Sequence, residues 1–193
     1  ARLEGEILPA FPRPRVTTPD EVQGDSQTLR DAIKTRGWPV LGRLRGRLLF
    51  AFDTTGPLRT AYTHNKQDLR GRLLFVDSAT EDPFGAISVL NDPQAALQST
   101  EIRKAVAANF LVRTRADADT TEARKGDTTR ATAALQSGAH FISTDFPESV
   151  PGFPYRFVVP QGMPARCNPL SAPKSCTPLA LEDPAFVGSY SPP

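Results

Sequence analysis

Short apolar runs that end in polar or charged residues recur along the chain. The four clearest runs cover residues 47–53, 72–78, 110–119 and 140–147. Unbroken rather than alternating apolar character is typical of strands that are buried on both faces, as in a parallel sheet. The runs begin about 25 to 38 residues apart, and this spacing leaves room for one crossover helix between successive strands.

The segments around these runs carry helix start and stop signals. Asp25, Asp92 and Asp127 are predicted N-caps, and a proline follows Asp92 at the first helical position. Gly37 and Gly138 are predicted to lie just past the ends of the first and the last of these helices. The predicted order is therefore β-α-β-α-β-α-β, with one further helix before the first strand.

This order fits either a doubly wound sheet or part of a (β/α)8 barrel. No G-x-G-x-x-G segment follows a predicted strand, which disfavours a dinucleotide-binding sheet. A complete barrel needs eight strand units and about 250 residues, whereas four units are visible here. The predicted class is therefore α/β: the C-terminal half of a TIM-like (β/α)8 barrel, about four βα units, with a Pro-rich irregular tail. We expect the chain to be part of a longer protein.

Proline marks the last quarter of the chain as different from the rest. Of the 19 prolines, 11 lie at or after Pro147, so a barrel part is predicted at 1–147 and an irregular tail at 148–193. Cys167 and Cys176 both lie in this tail, too far apart for a C-x-x-C motif. A local disulfide, which contributes roughly 2.5–3 kcal/mol, is favoured over two free thiols. Disulfides persist in oxidising compartments, so a secreted, extracellular protein is expected.

Charge and hydropathy exclude two classes of function. The chain carries 23 Lys+Arg against 21 Asp+Glu, a formal net charge of +2, so there is no electrostatic case for nucleic-acid binding. The longest unbroken apolar run is Leu48–Phe52, which is far too short to span a bilayer.

Two arginines and an aspartate follow one another at every second position of the third run. If the strand persists, Arg113, Arg115 and Asp117 share one face, because side chains alternate along a strand. Two guanidinium groups aimed at one place can bind a phosphate or hold vicinal hydroxyls. The alternative is an ion-pair network in which Asp117 and Asp119 neutralise both arginines, and the pattern alone does not separate the two hypotheses.

Single carboxylates end the first two runs. Asp53 and Asp77 stand at predicted strand ends, where they can accept hydrogen bonds from sugar hydroxyls or ligate a hard cation. Capping of a following helix is the alternative for Asp77. His64 lies in a connector and His140 at the amino end of the last strand, so both are interpreted as structural. The chain by itself therefore offers no credible general acid–base pair.

Several segments are specific rather than generic. "NFLVRTRADADTTEARKGDTTRATAALQSGAHFISTDFP" and "RCNPLSAPKSC" closely resemble the calcium-dependent phosphoinositide-specific phospholipase C family of bacteria and fungi. The resemblance covers nearly the whole chain. It implies a TIM-like barrel that cleaves phosphatidylinositol to diacylglycerol and a cyclic inositol phosphate.

The resemblance also implies how the site is divided along the protein. The two acid–base histidines and most ligands of the Ca²⁺ cofactor lie on strands that precede Ala1, so this chain alone is expected to be inactive. Asp53, Asp77, Arg113 and Arg115 match the positions that bind the inositol phosphate. A phosphatidylinositol-type phosphodiester, a peripheral membrane surface and a monomeric state are expected.

Two rival functions stay open at this point. The ending "ISTDFP" also resembles the last strand of glycerophosphodiester phosphodiesterases, which open a different diester and need no inositol pocket. A catalytically silent secreted module that keeps the ring-binding residues is the second rival.

Overall fold

A computed structural model describes residues 2–160 and 164–182. These residues divide into two compact units. The described part of the first unit is 2–88 and 108–110, and that of the second is 89–107, 111–160 and 164–182. The division into a barrel part at 1–147 and a tail at 148–193 remains a prediction.

Helices and short strands alternate along both units. The helices of the first unit are α1 (Arg2–Ala10), α2 (Pro19–Gln23), α3 (Leu29–Thr35), α4 (Leu41–Leu44) and α5 (Gly56–Tyr62), and its strands are β1 (Val16–Thr17), β2 (Leu48–Leu49), β3 (Ala51–Phe52) and β4 (Phe75–Val76). Strand β5 (Ile87–Val89) leads from the first unit into the second. The second unit contains α6 (Ala96–Ala107), β6 (Leu111–Arg115), α7 (Thr121–Lys125), α8 (Thr129–Gln136), β7 (Phe141–Ser143) and α9 (Pro178–Glu182).

Strand neighbours in the first unit are parallel and follow one another in sequence. β1 pairs with β2 through Val16 and Leu48, and β3 pairs with β4 through Ala51 and Phe75. A further parallel bridge joins Asp77 to Ile87. The large side chains that are fully buried in this unit include Phe75, Phe84, Phe110, Leu29, Ile33, Leu69 and Leu73. Burial of such apolar area is the main force that holds the unit together.

The second unit is built on the strands β6 and β7, and the last residue of β5, Val89, also belongs to it. β6 and β7 are parallel, with Arg113 opposite Phe141 and Arg115 opposite Ser143. Helices α6 and α8 pack against β6. The fold class is α/β, as the apolar runs predicted.

The apolar runs predicted most of the strands but not the positions at which one strand ends and the next begins. The first run splits at Phe50, because β2 pairs with β1 whereas β3 pairs with β4. Strands β1 and β5 were missed, because Val16 is the single apolar residue of β1 and Ser88 interrupts the apolar residues of β5.

None of the three predicted aspartates occupies the N-cap position of its helix. Thr28, not Asp25, caps α3, with its hydroxyl oxygen accepting from the Asp31 amide at 3.0 Å. Asp92 accepts from backbone amides in the turn that precedes α6, which begins only at Ala96. Asp127 lies one residue before the N-cap of α8, which is Thr128, and its carboxylate accepts from the Thr129 amide at 2.8 Å. Gly138 takes a φ of +84° just past the end of α8, as predicted for a terminating glycine.

The tail is attached to the second unit by covalent and polar contacts. Cys167 and Cys176 form the predicted disulfide. The Asn168 side-chain amide donates to the Gly138 carbonyl at 2.7 Å, and the Arg166 guanidinium donates to the Leu135 carbonyl. The bridge therefore closes a small loop beside these anchoring contacts.

Reduction of the disulfide is expected to lower the free energy of unfolding by roughly 2.5–3 kcal/mol, because the open chain regains loop entropy when unfolded. Thermal unfolding with and without reductant measures the change. Alkylation followed by intact-mass analysis supplies the control. Alkylation of both Cys167 and Cys176 without prior reduction would contradict the bonded state.

Gly85 lies in the turn between β4 and β5, where a larger residue does not fit. An added Cβ would lie 2.8 Å from the carbonyl oxygens of Ala79 and Asp82 and 2.8 Å from Cζ of the buried Phe110 ring. We expect Gly85→Ala to lower the free energy of unfolding by about 1–3 kcal/mol through overpacking. Denaturant unfolding measures it, with Gly42→Ala as the control because nothing lies within 4 Å of that Cβ. Equal stability of the two variants would contradict the prediction.

Candidate functional site

One face of β6 presents two arginines. Val112 and Thr114 are buried, whereas the alternating Arg113 and Arg115 are partly exposed on the opposite face. Their register partners on β7 lie on that same face, and one of them, Phe141, is 54% exposed. The arginine face of the sheet is therefore open to solvent, and the predicted sharing of a face by Arg113 and Arg115 is confirmed.

Each arginine has a polar partner beyond the strand. Arg113 Nη1 donates to Oδ1 of Asn91 at 2.7 Å. Arg115 Nη2 lies 3.3 Å from Oδ2 of Asp145, and the two side chains are 28% and 65% exposed. Asp145 was not part of the ion-pair hypothesis, which paired the arginines with Asp117 and Asp119. An ion pair this exposed is weak, because water screens the attraction.

Asp117 lies past the end of β6 and does not continue the arginine face. It is 1% exposed. Its Oδ1 accepts from the Asp145 amide at 2.9 Å. Its Oδ2 accepts from the Thr144 hydroxyl and from the Tyr155 hydroxyl, the latter at 3.2 Å. The carboxylate therefore joins the end of β6 to the end of β7 and to the tail.

Sequence reasoning missed the partners of Asp117. Thr144 and Asp145 follow the last strand directly, so their place at a strand end was a usable signal. Tyr155 lies 38 residues after Asp117 in the Pro-rich tail, and no local pattern connects the two. Tyr155 packs edge-on against Phe146, with ring centroids 5.8 Å apart, in a small buried cluster that includes Ala123.

Asp53 and Asp77 stand at the carboxyl ends of neighbouring parallel strands in the first unit. Each aspartate directly follows the last register pair of β3 and β4, which is Phe52 opposite Val76. The Asp77 carbonyl accepts from Nη1 of Arg59 at 2.8 Å. The alternative role of Asp77 as a helix cap is wrong, because the next element is β5 and residues 78–86 contain no helix. Substrate binding by the five predicted site residues remains a prediction.

Both histidines serve local structure. His64 Nδ1 lies 2.6 Å from Oδ1 of Asp68, in a turn where His64, Asn65 and Lys66 all adopt positive φ. The hydrogen bond from His64 is the main cause that lowers the pKa of Asp68. His140 Nδ1 accepts from the Val112 amide at 3.2 Å. Desolvation of this ring lowers the pKa of His140, which favours the neutral acceptor form although the residue as a whole is exposed.

Two tyrosines donate to carboxylates in shielded surroundings. Tyr62 donates to Glu4 at 2.6 Å, and Tyr155 donates to Asp117. Burial and then the neighbouring carboxylate raise the pKa of each phenol well above its usual value. Both hydroxyls therefore keep their protons in the folded protein at neutral pH.

This pKa shift predicts a loss of stability in alkali. Because the folded pKa is raised, the stabilisation is complete below the unfolded pKa of about 10 and is lost as the pH rises from there towards the folded value. Thermal unfolding followed above pH ~10 is expected to show a falling melting temperature, and phenolate absorbance should appear together with unfolding. Tyr155→Phe should flatten this decline. Titration of both phenols in the folded protein near their usual pKa would contradict the prediction.

The described residues also line a groove of about 650 Å³ formed by β7, α8 and the tail. Its lining includes His140, Arg156 and Arg166, and none of the five predicted site residues. The groove therefore does not coincide with the predicted anion site.

Residues 2–160 and 164–182 contain no group of three or more His, Cys, Asp or Glu side chains that could hold a metal ion. No helix in the same ranges is long and apolar enough to cross a membrane.

Parallel strands that alternate with helices define an α/β fold, and comparison with known families gives the class of protein, a phosphodiesterase. A sequence model described as phosphoinositide phospholipase C, Ca²⁺-dependent, matches residues 1–169. The chain belongs to this family. No curated protein and no solved structure matches the chain.

Proposed function

We propose that the protein containing this chain is a calcium-dependent phospholipase C that converts phosphatidylinositol to diacylglycerol and a cyclic inositol phosphate. In this proposal the chain supplies the side of the site that binds the inositol phosphate. The observation that carries the proposal is the open face of β6, on which Arg113 and Arg115 project side by side.

The proposed reaction needs positively charged side chains where the phosphoryl group binds. The inositol 2-hydroxyl oxygen attacks phosphorus, its proton passes to a base, and the diacylglycerol oxygen leaves and takes up a proton from an acid. Since both reacting groups belong to one substrate molecule, positioning dominates the barrier. A guanidinium can donate two parallel hydrogen bonds to phosphoryl oxygens, and it offsets the charge on them as the bond to the leaving oxygen breaks.

The acid and the base are proposed to be histidines that precede Ala1 in the whole protein. Two observations support a site that is divided between this chain and the part of the protein that precedes it. His64 and His140 are both engaged in local structure. Calcium ligands are proposed to lie mainly in the same preceding part, because the described residues offer no metal cluster.

A half-barrel is proposed as the architecture of the chain. Parallel strands that neighbour one another in sequence order are the arrangement of a (β/α)8 barrel. Parallel sheets are normally covered on both faces, whereas Phe141 is 54% exposed on its sheet. This open face is where we place the barrel interior, to be closed by further strands. Secretion is proposed on the basis of the disulfide.

The proposal is tested on the full-length gene product with phosphatidylinositol vesicles and Ca²⁺. Phosphorus NMR of the products is expected to show a cyclic inositol phosphate. Release of glycerol phosphate from glycerophosphodiesters instead would favour the rival phosphodiesterase. Binding of inositol phosphate without any turnover would favour the silent module, as would the absence of strand-end histidines from the upstream sequence.

A further inference from the structure

The carboxylate of Asp117 is closed to ligands. Its side chain is buried, and its two oxygens already accept from three donors, namely the Thr144 hydroxyl, the Asp145 amide and the Tyr155 hydroxyl. A carboxylate that is desolvated and hydrogen-bonded in this way holds its neighbours in fixed positions. Asp117 therefore has contacts suited to supporting the site rather than to touching the substrate.

These contacts lead directly to one of the proposed anion-binding arginines. Asp117 Oδ1 accepts from the Asp145 backbone amide at 2.9 Å, and the Asp145 carboxylate pairs with Arg115 at 3.3 Å. The Arg115–Asp145 pair is partly exposed, so its own attraction does not hold the long arginine side chain in one conformation. The fixed backbone of Asp145 supplies the restraint that the exposed pair lacks.

Tyr155 is itself firmly held, so it can act as the outer support of Asp117. Its ring packs against Phe146, and its hydroxyl also lies 3.2 Å from the Ala116 carbonyl. Close by in sequence, the Phe157 amide donates to the Phe146 carbonyl at 2.9 Å, and the Arg124 guanidinium lies 5.5 Å from the Phe153 ring centroid. The tail segment 153–157 is therefore anchored on both sides of Tyr155.

We infer that Asp117, Thr144 and Tyr155 form a positioning unit that holds the Arg115–Asp145 pair ready for a phosphoryl group. This inference rests on the proposed function of Arg115. It gives the Pro-rich tail a part in substrate specificity, and it assigns Asp117 a positioning role in place of the predicted contact with the substrate. A positioned guanidinium loses less conformational freedom on binding, which favours the transition state.

A double-mutant cycle tests the inference in the full-length enzyme. Tyr155→Phe keeps the ring packing and removes one donor to Asp117, and it is expected to lower kcat/KM by about 3- to 10-fold. In an Arg115→Ala background the same change should have an effect of less than about twofold, because the group that it positions is gone. Thr144→Val is expected to behave like Tyr155→Phe, and Thr144→Ser to retain activity.

Tyr62→Phe is the matched control, since it also removes a hydroxyl that donates to a shielded carboxylate, Glu4. It should change stability and leave kcat/KM unaltered. Equal losses from Tyr155→Phe in both Arg115 backgrounds would show a purely structural role and overturn the inference, as would no loss in either background.

A second measurement does not depend on turnover. Hydrogen exchange at Arg115 Nε, followed by NMR and assigned with Arg115→Lys, should become about tenfold faster in Tyr155→Phe and Asp117→Asn. If phosphatidylinositol is not turned over at all, the proposed function fails while this measurement still decides the positioning role. Unchanged Arg115 exchange in both variants would overturn the inference.

Discussion

Replacing Arg115 with alanine is expected to lower kcat/KM of the full-length enzyme by about one to two decades. A charge-assisted contact to phosphate contributes roughly 1.5–3 kcal/mol, and this free energy converts to such a factor. Arg115 alternates with buried residues on β6, so its guanidinium can reach a ligand on the open face. Initial rates on phosphatidylinositol vesicles, with Ca²⁺ held constant, measure the loss.

Two variants sharpen this measurement. Arg115→Lys should recover only part of the activity, because an ammonium group cannot donate the two parallel hydrogen bonds of a planar guanidinium group. Arg103→Ala is the matched control, since Arg103 is an exposed arginine on α6 of the same unit. It should leave kcat/KM unchanged. An Arg115→Ala protein with a lowered melting temperature and full activity would remove this arginine from the site and leave Arg113 to be tested alone.

The 193-residue chain by itself is expected to show no calcium-dependent turnover of phosphatidylinositol, at least about four decades below the full-length enzyme. The reason is that its described residues provide neither an acid–base pair nor a metal cluster. His64 is tied to Asp68, and His140 accepts from the backbone of Val112. Product analysis by phosphorus NMR, at enzyme concentrations high enough to reveal slow turnover, measures the activity of the chain.

If the isolated chain does turn over phosphatidylinositol, two variants show which histidine is responsible. His64→Gln and His140→Gln in the isolated chain provide the controls, because each removes one of the two histidines of the chain. Calcium-dependent turnover that disappears in either variant would defeat the prediction. Co-expression with the upstream part of the gene should restore activity if the site is divided as proposed.

Much of the site could be predicted where a side chain's position follows from its neighbours in sequence. The common face of Arg113 and Arg115 follows from strand alternation, and the disulfide follows from its short loop. The place of Asp117 could not be predicted, because β6 ends at Arg115 and the chain then turns. Its burial depends on Tyr155, a partner that only the tertiary fold brings near.

The strands show the same difference between features set by neighbours in sequence and features set by residues far away in sequence. Apolar runs located β4, β6 and β7, because each strand contains or directly follows consecutive apolar residues. Strands β1 and β5 exist because neighbouring strands offer them hydrogen bonds, and their own residues alternate with polar ones. A pairing imposed from outside a segment cannot be read from that segment's sequence.

The hydrogen bond from Tyr155 to Asp117 has a practical consequence for anyone who shortens this protein. A C-terminal boundary at Pro147 looks safe on composition, since it removes a stretch that is rich in proline. Such a truncation would remove Tyr155, which is one of the three hydrogen-bond donors to the buried Asp117 carboxylate. It would also expose the Phe146 ring, against which Tyr155 packs. Shortened versions of the protein for crystallisation or display should therefore extend at least to Phe157. Fusion partners should be attached after Cys176.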